Sequence, residues 1–245
     1  MPKGMAAIVA LVLAMSIAPP AAAQTRSPDD TTGQVQRLRG KQVREAARAA
    51  ARLNEAATTY AEIIELTVTD RPDAVRLRIT SARAELARLR PIVSQETFAA
   101  FKKHFDEMVI AEANDNLTGA ALAAAENFKV IFMAMDGRMR RTPLEVWQHT
   151  YAAFKLVLLA TAARIDWPAV GQAAKESEKS WIALRRMVRD TNLRVLLSEI
   201  QSGLRDAVAR NDAAGVKFAA RLQIGSIGVL RDLFNRMAQA MARRR

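Results

Sequence analysis

The chain has 245 residues, half of them hydrophobic and a quarter charged, with 5% aromatics, no cysteine and a formal net charge of +12. That size and balance suit a folded protein with properly buried cores and exclude a disordered polymer. The absence of cysteine excludes disulfides, Cys-ligated zinc, iron–sulfur clusters, covalent c-type haem and cysteine nucleophiles.

Lys3 precedes an apolar run, Ala6–Ala18, which Pro19 and Pro20 interrupt before the small residues Ala21, Ala22 and Ala23. This order is that of a cleavable secretory signal over residues 1–23, the run being shorter than the roughly 20 residues a spanning helix needs. It predicts export, most naturally to a bacterial periplasm. Residues 24–33 are polar, carry Pro28 and read as a flexible leader.

From there on helical spacing dominates, and abundant Ala and Arg with few aromatics favour helices over sheets. The only later prolines, Pro72, Pro91, Pro143 and Pro168, fall where the apolar pattern breaks, as expected of residues tolerated in a first turn and disruptive inside a helix. The spacing predicts helices near 35–68, 73–90, 95–113 and 117–136, and again near 143–165, 168–189, 191–209 and 213–242.

The two sets resemble each other. Val75, Ile79, Ala82, Leu86 and Leu89 step by four and three, and an offset of 95 gives Val170, Ala174, Ser177, Trp181 and Leu184. Phe98, Phe101, Phe105 and Val109 correspond in the same way to Leu193, Leu196, Ile200 and Leu204. Asn114-Asp115 with Gly119 recurs as Asn211-Asp212 with Gly215, and Asp70-Arg71-Pro72 as Asp166-Trp167-Pro168. The expectation is therefore an all-α protein of two tandem four-helix units, 34–137 and 138–245, from an internal duplication of about 95 residues. The units would pack as up-down bundles or as one eight-helix array.

Charge is not shared equally. Residues 24–137 carry 16 Lys/Arg against 16 Asp/Glu, and residues 138–245 carry 20 against 9. The excess gathers in Arg138, Arg140 and Arg141 at the junction, in Arg185, Arg186 and Arg189, and in Arg243, Arg244 and Arg245 at the end. Such a field draws anionic partners. For an exported chain these are an acidic protein or a lipid surface, not nucleic acid. The last helix, apolar at Val216, Leu222, Ile224, Ile227, Leu230, Leu233, Phe234, Met237 and Met241, reads as a bundle-closing helix with a basic end. A second use would be as a membrane-surface helix.

Chemistry-bearing motifs are few. His104 and Met108 sit one helical turn apart, a spacing that could supply two ligands to copper or haem iron; the plainer reading is a boundary histidine beside a core methionine. His149 falls off the stripe Trp147, Tyr151, Phe154 and Leu158, which places it in solvent. Met133, Met135 and Met139, with Met237 and Met241, read as core fillers. No phosphate loop, nucleophile–base arrangement or zinc motif is present. The motifs thus require no cofactor, and the chain reads as a non-enzymatic binding or adaptor protein with a basic second unit.

The stretch Phe101 to Phe128, with its HFDEM run, its Asn-Asp turn and its AALAAAENF segment, resembles the last two helices of the small periplasmic cytochromes b562 and c′. The resemblance implies a four-helix bundle and a haem- or copper-handling carrier as the alternative function. It carries no ligand assignment, because CxxCH is absent and neither final helix contains histidine.

Overall fold

The computed structural model describes the backbone of residues 28–135, 137 and 142–242, and within it the side chains of 41–135, 137 and 142–240. Among the described residues every regular element is a helix: α1 (Pro28–Val68), α2 (Pro72–Leu89), α3 (Gln95–Ala113), α4 (Leu117–Ala134), α5 (Leu144–Leu159), α6 (Trp167–Arg185), α7 (Thr191–Ala209) and α8 (Ala213–Ala242). The protein is all-α. Helix α1 starts at Pro28, inside the stretch read as a leader, and α5 ends six residues before the expected Ile165. The chain divides into two compact units, residues up to Gln42 and residues from Val43, and all that follows concerns the second.

Six of the helix starts have a local cause that the structure shows. Ser94, Asn116, Asp166, Asp190 and Asp212 each accept a hydrogen bond from the backbone N–H three residues on, at 2.9–3.1 Å. That bond satisfies one of the four donors a helix leaves bare at its N-terminus. Pro72 opens α2 instead, with its fixed φ and no donor to lose.

The turns α3–α4 and α7–α8 share the same backbone conformation and hydrogen bonds. Asp115 and Asn211 stand at positive φ, 57° and 52°. The N–H of Asn116 reaches back to the carbonyl of Ala111 at 2.9 Å, and that of Asp212 to Ala207 at 2.8 Å. These are the six-to-one bonds of a Schellman stop. The residues in equivalent roles are therefore Asp115 with Asn211 and Asn116 with Asp212, an offset of 96. The two dipeptides are reversed in order relative to the sequence match. Burial agrees with the same offset: Phe101, Phe105 and Met108 are buried at the places of Leu197, Gln201 and Leu204. The expected partner of Phe101, Leu196, is 52% exposed. One residue of slip turns a side chain by about 100° around a helix, which takes Leu196 off the core face.

Tertiary packing runs α2 on α3, α3 on α4 and α4 on α5. Helix α5 also lies on α6 and α8, and α7 lies on both α6 and α8. Among the described residues α4 is the helix apolar and long enough to cross a membrane by composition; here it packs between α3 and α5, with Phe128, Ile131 and Phe132 in the core. Phe128 joins the halves. Its ring lies 5.6 Å from Trp147 and 5.4 Å from Phe154 of α5, within the range where edge-to-face aromatic pairs add to plain burial.

Candidate functional site: a basic depression on α6 and α7

Helix α6 ends at Arg185, and a five-residue connection leads to α7. So short a link lays the start of α7 beside the end of α6. Arg185 and Arg186 there meet Thr191, Arg194, Val195, Ser198 and Glu199 around a depression of about 440 Å³. Arg194 donates to the Thr191 hydroxyl at 3.2 Å, which holds its guanidinium at the rim. Among the described residues, the ion pairs leave Arg185, Arg186 and Arg189 without a carboxylate partner. Asp190 forms no ion pair with them; its carboxylate accepts from the N–H of Leu193 as the cap of α7. Around the depression the guanidiniums of Arg185, Arg186 and Arg194 stand with one carboxylate, that of Glu199. The exposed apolar side chains Ile182, Val195 and Leu196 stand on the same two helices.

Of the arginines singled out in the sequence, Arg185 and Arg186 line the depression and Arg189 does not, while Arg194, which was not singled out, lines it too. The signal was present: a short α6–α7 link brings residues eight or nine apart to the same end of the pair. Arg138, Arg140, Arg141, Arg243, Arg244, Arg245 and Met139 lie outside the described residues, as does the segment read as a signal.

The other candidates are placed as follows. His104 lies at the boundary, with its Nδ1 2.8 Å from Glu107 Oε2, while Met108 is fully buried in the core. Among the described residues no group of three or more His, Asp or Glu side chains is arranged to hold a metal ion. Met135 is buried, but Met133 is 56% exposed and fills no core.

His149 is a clear correction. It is fully buried, not solvated. Helix α5 packs against α4, α6 and α8, which covers the side that holds His149; its exposed residue is the neighbouring Gln148. Its Nδ1 lies 2.9 Å from Ser180 Oγ, and Ser180 spends its own proton on the Ser177 carbonyl at 2.7 Å. Nδ1 therefore carries the imidazole proton, and Nε2 is left without a partner. Burial lowers the His149 pKa to about 4, against the opposing pull of a hydrogen bond to the Ser177 backbone. Two amides, Gln201 Nε2 at 2.9 Å and Gln223 Nε2 at 3.0 Å, converge on Ser177 Oγ. So α5, α6, α7 and α8 each place a polar side chain at one buried point. The arrangement can fix which helices meet and in what register.

No protein-family model, no curated protein and no solved structure matches the chain.

Proposed function

We propose that this is a non-enzymatic binding or adaptor protein, exported to the periplasm, that contacts an anionic partner through the basic face of α6 and α7. The observation that carries the reading is the convergence of Arg185, Arg186 and Arg194 on one depression, with no neutralising carboxylate but Glu199. Guanidinium groups recognise carboxylate and phosphate in two-pronged fashion, and three of them around one hollow suit an anion presented by a larger partner. The neighbouring Ile182, Val195 and Leu196 offer apolar contact beside the charge.

In this reading the chain is a duplication. The matched caps, the paired Schellman stops and the shared burial at an offset of 96 support that history. The copies then diverged, the second becoming basic outside and polar at its centre.

The test compares wild type with R185Q/R186Q/R194Q, after circular dichroism has established that both are folded. Two readouts serve: co-sedimentation with vesicles of neutral or mixed neutral and anionic phospholipid, and capture of partners from periplasmic extract at low and high salt. Wild-type binding should fall as salt rises, and the triple variant should lose it already at low salt. Identical binding by both proteins would end the proposal.

A further inference from the structure

The C-terminal half of α1 does not lie flat on α5 and α8. Between α1 and α8, above α5 and Phe128 of α4, a cleft of about 360 Å³ remains, within the range of roughly 300–1,000 Å³ typical of small-molecule sites. Its floor is apolar, formed by Phe128, Trp147, Phe154 and Ile227. Its walls are charged and opposite in sign. Helix α1 contributes Glu62 and Glu65, and α8 contributes Arg231.

The pairing of these charges is incomplete. Glu62 is held by Arg78 of α2. Glu65 has no ion-pair partner among the described residues, and its carboxyl is raised above the usual range, first by burial and then by the neighbouring Glu62. Arg231 lies over the Trp147 ring at 5.4 Å and likewise has no carboxylate partner. One wall thus offers an unpaired acid, the other an unpaired base, and neither reaches the other. A smaller cleft of about 270 Å³ shares Glu65, Phe154 and Ile224 and extends the groove toward Arg221.

We propose that this groove binds a small zwitterion with an apolar body: its ammonium group meets Glu65, its carboxylate meets Arg231 and its apolar part lies on the aromatic floor. A neutral apolar molecule would bury the floor and leave both charges stranded. A simple anion or cation would satisfy one wall and oppose the other. The site is separate from the basic face of α6 and α7, and neither proposal depends on the other.

Isothermal titration calorimetry on the full chain tests it with L-leucine, L-phenylalanine and 6-aminohexanoate. The controls are N-acetyl-L-phenylalanine, which lacks the ammonium, and L-phenylalaninamide, which lacks the carboxylate. At least one zwitterion should bind, and each single-charge control should bind about tenfold or more weakly than its parent, a loss of about 1.4 kcal/mol. E65Q and R231Q should each weaken the zwitterion by a similar factor. Gly228 lines the cleft, and a Cβ there meets nothing within 4 Å. G228L should therefore fold with an unchanged or higher melting temperature and lose binding by filling the groove. If none of the three zwitterions binds, or if G228L binds as wild type does, the proposal is wrong.

Discussion

Among the buried side chains that leave a polar atom without a partner, Tyr60 and His149 differ in consequence. Tyr60 is fully buried against Phe101, its ring 6.2 Å away, and its hydroxyl is unpaired. Burial and the nearby Glu85 push its ionisation up, so the group stays neutral at every relevant pH. Removing an unpaired buried hydroxyl removes a desolvation cost with no bond lost. Y60F should therefore be neutral or stabilising by up to about 1 kcal/mol in urea denaturation. His149 behaves otherwise, because its ordinary pKa lies within reach of mild acid. Its folded pKa, lowered to about 4, lies below the unfolded value of 6.5. As pH falls from 6.5 toward 4 the unfolded chain takes up the proton first, and stability is lost through that window. Above it the contribution is complete; below it nothing more is lost from this residue. The full loss is at most about 3 kcal/mol. Urea midpoints measured between pH 7 and 4 should fall for wild type and fall less for H149Q. Equal slopes would mean that the imidazole charges without cost. Neither residue could be assigned its environment from the sequence. The stripe through Trp147, Tyr151, Phe154 and Leu158 is buried as expected, but a stripe shows where one face points and not how many neighbours the helix has. The scarcity of charge on α5, whose ionisable side chains other than His149 and Tyr151 are Glu145 and Lys155, was the better signal.

At the level of the helices, most starts were legible and registers were not. Starts for α3, α7 and α8 fall where the spacing predicts them, and each carries a side-chain cap, a local hydrogen bond set by neighbouring residues. The equivalence of α3 with α7 came out one residue off, because several apolar residues crowd each helix and 3–4 spacing fits more than one face. The turn glycines resolve it and make a prediction. A Cβ at Gly119 would stand 2.5 Å from Asn116 Nδ2, and one at Gly215 would stand 2.6 Å from Asp212 Oδ2. Either would displace a cap worth about 0.5–2 kcal/mol while gaining up to about 1 kcal/mol of helix propensity. For G119A the obstacles are atoms of one rotatable side chain, so the two effects nearly cancel. At Gly215 the new Cβ would also lie 2.9 Å from the Cβ of Ala207, which cannot rotate away. G215A should therefore cost about 1–2 kcal/mol more than G119A in thermal or urea unfolding. Equal costs would show that the cap alone decides.

Across the whole molecule, the sequence suggested two units meeting near residue 138, packed as two bundles or as one array, and buried aromatic contacts join α4 to α5 there. Phe128 of α4 is buried against Trp147 and Phe154 of α5, and the ring of Phe132 lies 6.4 Å from that of Tyr151. The Tyr151 hydroxyl then returns to Glu126 of α4 at 2.6 Å, with Lys155 3.7 Å from the same carboxylate oxygen. A core continuous across that junction couples the stability of α2–α4 to that of α5–α8. Tryptophan placement makes the coupling measurable, since Trp147, Trp167 and Trp181 all lie in the second half while helix content is spread over both. Unfolding followed by tryptophan fluorescence and by far-ultraviolet circular dichroism should give superimposable curves, the mark of one cooperative transition. F128A, which empties a buried aromatic site shared by both halves, should lower both curves together by about 3–5 kcal/mol. If fluorescence kept its wild-type midpoint while part of the helical signal melted early, the halves would be independent. The aromatic contacts would then be an interface between two bundles, not the centre of one core.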